Sequence, residues 1–252
     1  MTRAIFPPVI GHRGAAAYAP ENTLASFRKA ADLGCRMVEF DVRLSADGVP
    51  VVFHDARLER TTDGAGWVGE TSLAQLKRLD AGRWFAPAFA GESIPTLAEA
   101  MDVCRDLGLA VNIEIKPDHG AERATAVAAL ETAGRIWPSD RPPPLVSSFR
   151  RPALATAAAV APAWPRALLV GRLGAGWRRA AKRLGCVSVN ADHRYLSRRA
   201  VAAIGAAGLA VMAYTVNDSE AARTLWEAGV ASCFSDAPDR LGTGSERGGQ
   251  TG

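Results

Sequence analysis

The feature that most limits the folds open to this chain is a regular alternation of short apolar runs with helical stripes. Apolar segments at 110–116, 145–149, 166–170, 186–190, 209–216 and 230–235 read as buried strands, short and bounded by turn residues. Between them, 96–108, 121–134, 151–161, 175–185, 197–208 and 218–229 read as helices. Upstream, strands begin near 9 and 37, with a helix between them on the stripe Leu24, Phe27 and Ala31 that stops at Gly34. Strands then start near 9, 37, 110, 145, 166, 186, 209 and 230. Eight such units in 252 residues predict an α/β chain folded as a (β/α)8 TIM barrel rather than a doubly wound sheet.

One domain is expected over 1–241, followed by a disordered Gly/Ser/Thr/Gln-rich tail over 242–252. After the second strand, Ser45-Ala46-Asp47-Gly48 is a turn, and Val49–Asp55 is a further extended segment that ends at His54. Residues 56–95 then break the rhythm, apart from a short helix at 72–79. A long irregular segment inside a compact domain is usually functional, so this one is read as a small insertion folding over the site. Trp84 and Phe85 are left open between packing that insertion and a role in the site.

Three strands carry charge where burial would normally forbid it. Val9-Ile10-Gly11-His12-Arg13-Gly14 ends an apolar run at a histidine and an arginine between glycines. In Met37–Val42, Glu39 and Asp41 are two apart and share a face; in Val111–Lys116, so do Asn112, Glu114 and Lys116. In a barrel, the C-terminal ends of the strands form one mouth, which gathers His12, Glu39, Asp41, Glu114 and Lys116. Three carboxylates make an oxygen-only ligand set, suited to one divalent ion, Mg²⁺ or Ca²⁺ with Mn²⁺ possible, and not to zinc. With such an ion the carboxylates sum to −1, and Arg13 with Lys116 brings the total to +1, which a phosphodiester monoanion would neutralise. His12 and His54 come from different strands and supply a general base and a general acid.

The net charge is +4, and the arginine pairs at 150–151, 178–179 and 198–199 read as helix starts or solvated faces scattered along the chain, so no nucleic-acid partner is expected. Cys35, Cys104, Cys186 and Cys233 lie far apart with no Cys-x-x-Cys pair, as buried reduced thiols would. Met1–Pro8 is too short and too rich in proline for a signal peptide, and no apolar run approaches the ~20 residues of a membrane span. A cytoplasmic protein without stable membrane insertion is expected. The oligomeric state is left open.

Taken in order, His12-Arg13-Gly14, Glu21-Asn22-Thr23, Glu39-Phe40-Asp41, His54-Asp55, Arg60-Thr61-Thr62-Asp63-Gly64, Ile94-Pro95-Thr96-Leu97 and Glu114-Ile115-Lys116 resemble the glycerophosphodiester phosphodiesterase family. The later strand ends, Ser148-Phe149, Tyr214-Thr215-Val216-Asn217 and Ser235-Asp236-Ala237-Pro238, fit more loosely. The resemblance implies a TIM barrel with an insertion after the second strand. It also implies hydrolysis of glycerophosphodiesters, such as glycerophosphocholine or glycerophosphoethanolamine, to glycerol 3-phosphate and an alcohol. Glu39, Asp41 and Glu114 would hold the metal, His12 and His54 do the acid/base work, and Arg13 and Lys116 meet the phosphate. Asn22, Phe149 and Tyr214 are candidate substrate contacts, although Glu21 and Asn22 could instead cap the first helix. Tyr214 stands where relatives often have tryptophan and Ser235 where threonine is common, both read as rim positions. His119 and His193 are read as surface residues. The rival readings are a phospholipase D-type enzyme acting on lysophospholipids and a non-catalytic glycerophosphodiester-binding protein.

Overall fold

Strand β1 (Val9–His12) has two parallel neighbours, β2 (Met37–Leu44) and β9 (Ser232–Ser235), and through them the sheet closes on itself. This is a computed structural model, and it describes residues 6–242. Between β2 and β9 run β4 (Ala110–Ile115), β5 (Leu145–Ser148), β6 (Arg166–Val170), β7 (Cys186–Asp192) and β8 (Ala210–Tyr214), each parallel to the next. β3 (Pro50–Val52) lies outside the ring as the antiparallel partner of β2, with Val42 opposite Val52 and Leu44 opposite Pro50. The expected hairpin and the eight-stranded barrel are both present.

Helices α1 (Leu24–Asp32), α3 (Leu97–Asp106), α4 (Glu122–Ile136), α5 (Arg151–Val160), α6 (Trp177–Arg183), α7 (Arg198–Gly205) and α8 (Ser219–Glu227) connect the barrel strands, and the short α2 (Leu73–Leu76) lies in the 56–95 segment. Thr23, and not Glu21 or Asn22, caps α1, its side chain accepting from the Ser26 amide. Thr96 and Glu99 form a capping box on α3. The outer core lies where helix stripes meet the sheet: Phe27, Phe40, Leu97, Met101 and Ile113 fall in one buried cluster. Ile10, Met37, Leu145, Ala167, Met212 and Phe234 form another, one side chain from each of six strands. Ile10 is two residues before His12 and Met37 two before Glu39, so this cluster plugs the barrel beneath the charged layer.

Residues 56–95 pack around their own small core of Leu58, Val68, Leu76, Ala81 and Ile94, together with Val51 and Phe53 of the hairpin. Trp84, Phe85 and Phe89 stack edge to face on that segment, with Trp84 exposed. No disulfide joins the four cysteines, all within the described residues; Cys104, Cys186 and Cys233 are buried and Cys35 half-buried. Among the described residues, no helix is long and apolar enough to cross a membrane. The expected disordered tail falls, from residue 243 on, outside the described residues.

Candidate active site

Strand register assembles the charged layer. His12 lies opposite Glu39, Glu39 opposite Asn112, and Asp41 opposite Glu114. Groups a hundred residues apart thereby share one wall of a cavity of about 410 Å³. Oxygens of Glu39, Asp41 and Glu114 all lie within 4.8 Å of one another, and all three residues are buried.

The β1–α1 loop is shaped by two glycines. A Cβ on Gly11 would sit 2.4 Å from the Gly14 carbonyl oxygen, and one on Gly14 (φ +89°) would sit 2.3 Å from Ser26 Oγ. Ser26 Oγ pins the loop, donating to the Arg13 carbonyl at 2.8 Å and accepting from the Ala15 amide at 2.9 Å. The only non-glycine residues with positive φ among those described are Arg13 (+52°) and Asn22 (+58°), both in this loop. Strained backbone of this kind concentrates at functional sites. Here it aims the Arg13 amide at Glu39 Oε2 (3.1 Å) and the Asn22 side chain at Asp41 Oδ2 (2.9 Å).

The three carboxylates are not equivalent. Burial, then repulsion from Asp41, pushes Glu114 up to about 7. Burial and the same neighbour raise Glu39 well above the usual carboxylate range. Burial would also raise Asp41, but Lys116 and Arg13 outweigh it and hold that group ionised. Arg13 Nε is 3.3 Å and Lys116 Nζ 3.5 Å from Asp41, and Lys116 also donates to Glu114 at 3.1 Å. Glu39 Oε1 is buried without a hydrogen-bond partner. An unsatisfied carboxylate oxygen beside two more carboxylates fits a hard divalent cation, which would supply the missing partner and relieve the repulsion.

Each histidine is backed by an acid. His12 Nδ1 is 2.6 Å from Asp236 Oδ1, and His54 Nδ1 is 2.5 Å from Asp55 Oδ1, which leaves both Nε2 atoms for other work. Burial lowers the His54 pKa despite the pull of Asp41, so the ring is neutral at pH 7. Asp55 is held at about 2 because Arg60 and His54 outweigh burial. Asn217 steadies Asp236 from two sides, its Nδ2 donating to Oδ2 at 2.8 Å and its Oδ1 accepting the Asp236 amide at 2.8 Å. Arg60 bridges Asp55 to Glu21, and Glu21 accepts from Arg13 at 2.7 Å.

Of the residues predicted from sequence, His12, Arg13, Glu39, His54, Glu114, Lys116, Phe149 and Tyr214 line the cavity. Asp41 and Asn22 stand behind that wall: Asn22 makes its contacts with Asp41, through its side-chain amide and by accepting the Asp41 amide at 3.3 Å. Ser235 is fully buried and bonded to Asn217, so it supports Asp236 and is not a rim residue. Among the described residues none of 56–95 lines the cavity; that segment reaches the site through Arg60, which donates to Asp55. Phe149 and Tyr214 meet edge to face at 6.0 Å, with Lys116 5.9 Å from the Phe149 ring. His119 is exposed as expected, whereas His193 is half-buried and lines the cavity beside Asp192 and Arg194. The floor is polar. Asn112 Nδ2 donates to Ser147 Oγ and Ser188 Oγ donates to Asn190 Oδ1, which leaves Asn112 Oδ1 and Asn190 Nδ2 buried without partners.

Comparison with known proteins places these residues in a family. Residues 12–240 match the model of the glycerophosphoryl diester phosphodiesterase family. The YhdW protein of Bacillus subtilis is 34% identical over 238 residues, covering 92% of this chain and 95% of its own. A glycerophosphodiester phosphodiesterase of the same organism is 32% identical over 247 residues, covering 91% and 83%. A phosphodiesterase from Oleispira antarctica, solved in complex with the product sn-glycerol-3-phosphate, superposes with a TM-score of 0.91 at 42% identity, over 93% of this chain and 95% of that one.

Proposed function

Because this chain belongs to the glycerophosphoryl diester phosphodiesterase family, we propose that it hydrolyses glycerophosphodiesters, such as glycerophosphocholine or glycerophosphoethanolamine, to glycerol 3-phosphate and a free alcohol. The observation that carries the reading is the carboxylate cluster with its unpartnered Glu39 oxygen, set in one cavity wall with two acid-backed histidines. Glu39, Asp41 and Glu114 would hold one divalent cation, Mg²⁺ or Ca²⁺ by ligand chemistry, with Mn²⁺ also compatible. Such an ion, when bound, polarises a phosphoryl oxygen and makes a nearby hydroxyl more acidic.

The remaining work falls to the protein. His54, neutral at pH 7, takes the proton of the attacking hydroxyl; His12, oriented by Asp236, returns one to the leaving alkoxide as its bond to phosphorus breaks. Arg13 and Lys116 add positive charge where the phosphate builds negative charge. The partnerless Asn112 Oδ1 and Asn190 Nδ2 offer an acceptor and a donor on the enclosed floor, which suits the hydroxyls of the glycerol common to every substrate. The same pair of histidines serves attack by water directly, or by the glycerol 2-hydroxyl to give a cyclic phosphate that water then opens to glycerol 3-phosphate, with the acid and base roles exchanged.

The test is release of glycerol 3-phosphate from glycerophosphocholine by the wild type, His12→Asn and His54→Asn. Each variant should lose roughly 10²–10⁴-fold in kcat. Wild-type rates in either variant would remove that histidine from the mechanism, and no release by the folded wild type would overturn the reading.

A further inference from the structure

The proposed reaction leaves the alcohol undefined, and the distribution of charge bears on it. Residues 141–217 contain twelve Lys and Arg and a single acid, Asp192, in a chain whose net charge is only +4, so the remainder is net acidic. The arginines that look scattered along the sequence are segregated in space. Those at 150–151, 178–179 and 198–199 stand at the starts of α5, α6 and α7, the helix ends that share the cavity's side of the barrel. None of these three helices has an acid in its first turn, whereas α3, α4 and α8 carry Glu99, Glu122 and Glu220 there. A cation at a helix N-terminus opposes the helix dipole. Three adjacent helices accept that cost.

Within this quadrant, the ion pairs among the described residues are Arg150 with Glu122 and Arg194 with Asp192. Arg151, Arg172, Arg178, Arg179, Arg198 and Arg199 are exposed and take no part in either. The field reaches the cavity itself, because His193 and Arg194 line it and the Arg172 guanidinium lies 3.9 Å from the ring of Tyr195. Asp192, the one carboxylate on this wall, is consumed by Arg194, which donates through Nε at 3.0 Å and Nη2 at 2.7 Å. A quaternary ammonium would meet no free carboxylate here.

Resting on the function proposed above, with glycerol on the closed floor and the alcohol leading out through the mouth, we propose a substrate class. The preferred substrates are glycerophosphodiesters whose leaving alcohol carries a phosphate of its own, drawn in by the arginine quadrant. Charge-lined clefts raise the encounter rate of oppositely charged ligands, and salt removes the gain.

The test compares kcat/KM for glycerophosphoinositol and glycerophosphoinositol 4-phosphate, which differ by one phosphate on the alcohol. At low salt the phosphorylated substrate should be favoured by ~10-fold or more, mostly through KM, with the ratio falling toward one at about 0.5 M salt. The triple reversal Arg172→Glu, Arg178→Glu, Arg198→Glu should abolish the preference; because a ratio is read, a partly misfolded variant does not mimic that result. A ratio at or below one, or one indifferent to salt and to the reversal, overturns the proposal while turnover of the unphosphorylated diester leaves the phosphodiesterase reading standing. No turnover of either removes both. Loss of binding to anionic vesicles or RNA in the reversed variant, with the ratio unchanged, would assign the quadrant to a macromolecule and overturn it as well.

Discussion

From β1 to β4, charges at the mouth meet opposite charges: Arg13 is held by Glu21 and Asp41, Asp55 by His54 and Arg60, Lys116 by Glu114 and Asp41. From β5 to the start of α7, arginines crowd the helix starts, and the acids they meet are Asp192 at the end of β7 and Glu122 of the preceding α4. Charge in the first region is fixed by short, partly buried contacts and so sets geometry; charge in the second is exposed and acts at a distance, which salt can cancel. On the reading proposed above, the first does the chemistry and the second selects the substrate. Variants in the two regions should therefore fail differently, in turnover on one side and in substrate choice on the other.

The largest effect should come from the carboxylate cluster. Glu114→Gln keeps the shape and removes one ligand charge, and should cost at least ~10³-fold in kcat with any diester at any salt, as steady-state kinetics would register. A loss confined to KM would blur the division between the halves. Next comes Asp236→Asn, which leaves His12 in place but loosens its orientation; a ~10–100-fold fall in kcat is expected, with little change in KM.

The smallest effect is a linkage between pH, metal and stability. Glu114 sits at about 7 in the folded, metal-free protein against an ordinary value of 4.5. Between those values the folded state holds a proton that the unfolded chain has lost, so stability falls as pH rises through the window. A cation takes the place of that proton, and its affinity rises with pH. Added Mg²⁺ should therefore raise Tm by about 2–4 °C more at pH ~7.5 than at pH ~5.5, read by calorimetry. Equal shifts at both would place the cation elsewhere.

Much of the fold was legible because each strand–helix unit announces itself locally: short apolar runs, stripes at helical spacing, and stops such as Gly34 and Gly108. His12, Glu39 and Glu114 were legible for a related reason, since charge in an apolar strand needs an explanation within a few residues. What stayed hidden depends on contacts across the barrel. Asp236 was visible as part of a loosely matching strand end, but its pairing with His12, 224 residues away, was not. His193 lacks suggestive neighbours in sequence and reaches the cavity because β7 runs on to Asp192 before turning. Asn22 looked like a cap or a ligand contact, yet its positive φ turns it onto Asp41 and leaves Thr23 to cap the helix. The 56–95 segment showed its irregularity in the sequence, but not the private core it packs around with the hairpin.

The most direct test of the division is metal removal and restoration. Protein stripped with EDTA should release no glycerol 3-phosphate from glycerophosphoinositol, and Mg²⁺, Ca²⁺ or Mn²⁺ should restore release in the wild type but not in Glu114→Gln. Full activity in the stripped protein, or equal restoration in the variant, would contradict the claim that the first region of the barrel does its chemistry through a cation held by Glu39, Asp41 and Glu114.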